Sequence, residues 1–170
     1  VIILGMSAAA YTFGGFIQAF LAGEMERQWG HQRMTKEIGQ MRDHTILCGY
    51  GRIGEILAED LTRSQQAFVV VESDLERVTK ARDKDLLCLH GDATADEMLI
   101  AAGLHHAKAL LTALPNDAAN VFITLTARNL NRDLLIVARA EHPATERKLR
   151  QAGADRVVLP ATIGAKQMSR

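Results

Sequence analysis

The sequence predicts an α/β domain on a doubly wound, six-stranded parallel sheet of order 3-2-1-4-5-6, and three observations carry that expectation. After Asp43, short apolar runs alternate with amphipathic stretches of helical length. The runs are apolar throughout and not at every second residue, which is the pattern of strands covered on both faces. The sequence Gly49-Tyr50-Gly51-Arg52-Ile53-Gly54 follows the first run directly and opens the first helical stretch. In that context the motif marks a Rossmann-like nucleotide-binding turn.

The strands are placed at 45–48, 68–71, 86–89, 110–114, 134–138 and 157–159. The helices between them are placed at 51–64, 74–81, 95–102, 117–130 and 145–152. A chain of 170 residues holds one domain of ordinary size and an appendage. Val1 and Arg170 read as the ends of a fragment of a longer protein. With 20 basic and 20 acidic side chains the formal charge is zero, so no basic face is expected and nucleic acid is not a partner. Cys48 and Cys88 each sit inside an apolar run without CxxC spacing, as buried free thiols do in a reducing compartment. His105 and His106 are adjacent and so do not share a helix face as paired metal ligands would. No metal site is expected.

Residues 1–23 contain no charged side chain, and about 20 apolar residues suffice to cross the hydrocarbon core as a helix. The run is rich in small residues, among them Gly5, Ala8, Gly14, Gly15 and Ala19, which let helix backbones approach closely in a bundle. It is therefore read as a transmembrane helix in contact with lipid and with other helices. Arg27, Arg33, Lys36 and Arg42 follow it and place this flank on the cytoplasmic side. Residues 24–43 are polar with scattered Met and Trp and read as a partly helical linker.

The candidate site is built on the glycine motif. Gly49 permits the tight turn, Gly51 lets backbone approach phosphates, and Gly54 lets helix and strand pack closely. Free N–H groups at the helix start, with Tyr50, Arg52 and Ile53 in the same turn, face the anion. Arg52 offers a planar, always charged fork to a phosphate. Glu72 ends the second strand, 18 residues after Gly54, where an acid accepts hydrogen bonds from ribose hydroxyls and repels a 2′-phosphate. Ser73 and Asp74 follow, as ribose-side neighbours or as caps of the next helix. Gly91-Asp92-Ala93-Thr94 closes the third strand beside the adenine edge, and Asp92 or Thr94 either meets the base or caps the following helix. The expected ligand is NAD(H) or AMP, ADP or ATP.

Five stretches, HTILCGYGRIGEILAEDL (44–61), VVVESD (69–74), GDAT (91–94), LPNDAANVFITLTARNLN (114–131) and GADRVVLP with IGAKQMSR (153–170), resemble RCK domains, the regulators of potassium conductance also called TrkA-N or KTN domains. The resemblance implies a domain over 44–160, the start of a crossover helix over 161–170, and an inner pore-lining helix over 1–23. It implies dimers within a tetrameric or octameric ring, with Val121, Phe122 and Leu125 either on the face of the pairing helix or buried against their own sheet. It places Arg139 near the phosphates beside Arg52. The carboxylates that hold calcium in some members are replaced at Ala113 and Arg139 with only Glu141 kept, and Arg150 stands where some members bind an interfacial divalent ion. The implied function is a ligand-gated regulatory domain, not an enzyme, controlling potassium conductance at the inner (plasma) membrane with residues 24–170 cytoplasmic. The alternatives are a regulatory domain of a K+/H+ antiporter or Trk-type transporter, and an NAD-dependent oxidoreductase, for which no placed acid–base residue is evident.

Overall fold

A computed structural model describes residues 34–168. The expected membrane span over 1–23 and linker residues 24–33 lie outside the described residues. Among the described residues no helix is long and apolar enough to cross a membrane. Residues 34–40, in the stretch read as a partly helical linker, are helical.

Six strands follow: β1 (Thr45–Cys48), β2 (Phe68–Glu72), β3 (Cys88–His90), β4 (Ala109–Thr112), β5 (Leu135–Arg139) and β6 (Arg156–Val158). All pair in parallel, in the order β3-β2-β1-β4-β5-β6. The helices are α1 (Arg52–Arg63), α2 (Leu75–Arg82), α3 (Asp96–Ala101), α4 (Asp117–Leu130), α5 (Pro143–Ala152) and α6 (Pro160–Met168). This is the expected doubly wound arrangement, whose ligand crevice opens between β1 and β4 at the carboxyl ends of the strands.

Register explains the continuous apolar runs. Leu47 stands beside Val70, and Val70 beside Cys88; these three join Tyr50, Ala58 and Val78 in one buried cluster. The next residue along each strand points to the opposite face. There Ile46, Leu110 and Ile136 stand side by side, fully buried on the sheet that α4 packs against. Both faces are thus covered, and no position on β1 is left for a polar exposed residue.

Four boundaries differ from the sequence reading for identifiable reasons. β4 ends at Thr112 and not at Leu114: Ala113 N still donates to Cys48 O at 2.9 Å, but β1 turns away at Gly49, whose φ is +97°, and β4 loses its partner. β3 starts at Cys88 and not at Leu86, because the α2 exit turns at Asp85 (φ +57°) and Leu86 N donates back to Ala81 O. α5 starts at Pro143 and α6 at Pro160, one or two residues ahead of the expected starts. Proline suits a first helical position, where no backbone N–H is needed.

Candidate nucleotide-binding site

The β1–α1 turn is held by its glycines and by one buried aromatic ring. Gly49 lies in the left-handed region and its amide continues the β1–β2 ladder, donating to Val71 O at 2.8 Å. Tyr50 sends its side chain down into the core, fully buried, so the motif presents backbone and not side chain to the crevice. Gly51 caps α1 with no side-chain hydrogen bond, which leaves the amides of the first helical turn without partners from the helix. A Cβ on Gly51 would meet only Arg77 Nη1 at 3.6 Å, whereas one on Gly54 would collide with the Gly49 carbonyl oxygen. Gly51 therefore borders open space, whereas Gly54 has no room for a side chain.

Glu72 is 3% exposed, and a buried carboxylate needs partners. Its Oε2 accepts from Tyr50 N at 2.6 Å, and its Oε1 accepts from Ser73 N and Asp74 N, each at 2.8 Å. The carboxylate thus ties the glycine turn to the β2–α2 turn. Asp74, not Ser73, caps α2, accepting from Arg77 N at 3.1 Å.

A cavity of about 490 Å³ opens above these groups, within the size range of ligand pockets. It is lined by Gly49, Gly51, Arg52, Ile53, Glu72 and, at the end of β5, Arg139, all from the expected set. Arg52 is exposed and has no hydrogen bond or ion pair among the described residues. Arg139 is fixed: its guanidinium donates to Ala113 O at 3.1 Å and to Glu141 Oε2 at 2.7 Å. Asp92, Ala93, Thr94 and Ser73 do not line it. Asp92 Oδ1 accepts from Thr94 N at 2.9 Å, and the cap position of α3 is Ala95. Four lining residues were not singled out in the sequence: Arg77, Leu114, Pro115 and Pro160. No spacing in the sequence announces Arg77, which reaches the cavity because the β2–α2 turn brings its guanidinium beside Glu72.

The rim beside Arg139 is held by Asp117 at the start of α4. Its carboxylate accepts from Glu141 N at 2.6 Å, Thr145 Oγ1 at 2.7 Å, and His142 N and Nδ1, each at 3.1 Å. Burial alone would raise its pKa, but the hydrogen bonds from the Glu141 amide, the Thr145 hydroxyl and His142 reverse this and hold it at about 2, against an ordinary 3.8. A lowered folded-state value means that these bonds stabilise the fold fully above about pH 4 and are lost as pH falls toward 2. Asp117→Ala is expected to cost about 1–3 kcal/mol at neutral pH and to flatten the acid limb of stability between those values, read by thermal melts across pH. An acid limb as steep as that of the parent would remove Asp117 from this role.

Sheet order, glycine turn and crevice together define a Rossmann-type nucleotide-binding domain. TrkA-N domains match over residues 45–160, and the chain belongs to that family. It is 40% identical over 171 residues to Potassium channel protein 1 of Methanocaldococcus jannaschii, covering 99% of this chain and 51% of that protein. The TrkA-N domain of inner membrane protein ybaL from Escherichia coli superposes with a TM-score of 0.73 at 32% identity, covering 76% of this chain and 96% of that one. The GsuK structure bound to ADP gives 0.67 at 31% identity, covering 80% of this chain and 37% of that one. The GsuK channel bound to NAD gives 0.66 at 26%, covering 72% and 22%. The chain spans about half the length of the channel relatives it matches, 51% and 49%.

Proposed function

We propose that this chain is the nucleotide-sensing regulatory domain of a potassium channel, binding NAD(H) or an adenine nucleotide and controlling conductance through a cytoplasmic ring of such domains. The observation that carries the reading is the crevice itself: bare first-turn amides at Gly51 and the free Arg52 guanidinium face one cavity. A helix start of this kind favours an anion through its amides and dipole. Relatives described with ADP and with NAD support the same ligand class. In the whole protein, residues 1–23 serve as the inner pore helix and 24–43 as the linker, at the inner membrane. Domains pair through α4, where Phe122 and Leu125 are about half exposed, at 51% and 48%.

The mechanism is linkage. A nucleotide that binds one ring conformation better than another shifts the pore equilibrium by its difference in affinity and by no more. The site binds and does no chemistry on its ligand. Burial pushes both thiols up to about 12, so neither cysteine is a nucleophile near neutral pH.

The test is potassium flux through liposomes that hold the protein in which this chain adjoins its pore, with and without NADH or ADP. A several-fold change in flux is expected, and indifference to every adenine nucleotide overturns the reading. Flux that requires counter-movement of protons reassigns the domain to a K+/H+ antiporter. Arg52→Ala is expected to weaken ADP about tenfold, as loss of a charge-assisted phosphate contact does, and to leave adenosine nearly unchanged in calorimetric titration. Equal losses for both ligands would show that Arg52 touches no phosphate.

A further inference from the structure

The ribose end of the crevice holds two opposite charges, and the acid is the less available of them. A carboxylate accepts at about four sites. Three of these on Glu72 are taken by the amides of Tyr50, Ser73 and Asp74. Arg77 stands beside it, with Nη1 at 3.9 Å from Glu72 Oε2. Its guanidinium makes no hydrogen bond among the described residues and lines the cavity together with Gly51 and Glu72. The cap that Asp74 places on α2 is closed by the Arg77 amide itself, so the backbone of Arg77 is fixed while its donors stay free. Its Nη1 also lies 3.6 Å from where a Cβ on Gly51 would sit, and apart from that glycine's chain neighbours no other group comes within 4 Å of that point.

An acid at this strand end selects a free ribose 2′-hydroxyl, and an arginine nearby accommodates a 2′-phosphate. This chain carries both. We propose that Arg77 is a specificity-determining residue at the ribose 2′ position, and that it admits 2′-phosphorylated adenine nucleotides which Glu72 alone would repel. The inference rests on the nucleotide-binding reading above. Physically, the paired charges nearly cancel at the cavity wall. The three amides draw the charge of Glu72 toward the turn. The guanidinium can rotate off its 3.9 Å ion pair and form a bidentate contact with a phosphate.

The test uses two ligand pairs that differ only by the 2′-phosphate: 5′-AMP with adenosine 2′,5′-bisphosphate, and NAD with NADP. Each is titrated calorimetrically into the parent chain, Arg77→Ala and Arg77→Lys. In the parent, the 2′-phosphorylated member is expected to bind within about tenfold of its partner. Arg77→Ala should widen that ratio by a further factor of about ten, and Arg77→Lys should restore part of it as a point charge without the fork. The side chain is 50% exposed, so the fold is expected to survive the change, with melting temperatures of the three proteins as the control. A ratio that is the same in the parent and in Arg77→Ala overturns the role of Arg77 while 5′-AMP and NAD binding keep the nucleotide reading intact. A parent that binds neither 5′-AMP nor NAD overturns both.

Discussion

Gly51→Asp is expected to abolish nucleotide binding while the domain stays folded, and Gly54→Ala to damage the fold first. The two glycines are three residues apart in one motif, yet the structure separates their duties. At Gly51 a new Cβ meets nothing closer than the mobile end of Arg77, and the backbone there is extended, with φ −81°. A side chain is tolerated at that position, but it projects into the cavity space proposed for the phosphates. Two like charges about 4 Å apart in a partly screened site repel by about 4 kcal/mol, close to a 1,000-fold loss of affinity. At Gly54 the new Cβ lands on the Gly49 carbonyl oxygen, and backbone cannot rotate aside as a side chain does. Overpacking of this kind costs about 1–3 kcal/mol or more, a fall of several degrees in melting temperature for a domain this size. Calorimetric titration and thermal melts on the two variants check both halves. Parental affinity in Gly51→Asp, or a parental melting temperature in Gly54→Ala, would contradict the division.

The sequence exposed backbone features that repeat and hid contacts made once. Thr45–Cys48 and Asp117–Leu130 are observed with the bounds that their apolar patterns suggested. A four-residue apolar run and a capped amphipathic stretch each carry their own limits. The helices that start at Pro143 and Pro160 begin ahead of their expected positions, because proline reads as a breaker until its suitability at the first helical position is weighed. In the site, the glycine motif declares itself by spacing. The role of Glu72 was only half visible: its place at the end of β2 follows from strand length, but its bonds to Tyr50, Ser73 and Asp74 depend on how two turns meet in space. Arg77 and Asp117 belong to the same class. Each acts across elements, on Glu72 or on the β5–α5 turn, and no periodicity records such a meeting.

Glu72 gives the second large effect. Were it only a ribose acceptor, Glu72→Ala would change ligand preference and leave the protein's stability untouched. The structure assigns it a prior task, since it accepts three backbone N–H groups while 3% exposed. Removing it strands the buried Tyr50 amide and leaves the part-buried amides of Ser73 and Asp74 to water; a buried donor left unpaired costs about 1–3 kcal/mol. Glu72→Ala is therefore expected to lose about 1–3 kcal/mol of stability and to weaken 5′-AMP, ADP and NAD together, because the turn that presents the amides is no longer held. Glu72→Gln keeps one carbonyl acceptor but aims an NH2 group at the remaining amides, so it should fall between the alanine variant and the parent. Denaturant melts and titrations on the same samples decide the matter. An alanine variant with parental stability and a changed preference for NADP over NAD would mean that the carboxylate serves the ribose alone and that the glycine turn holds its shape without it.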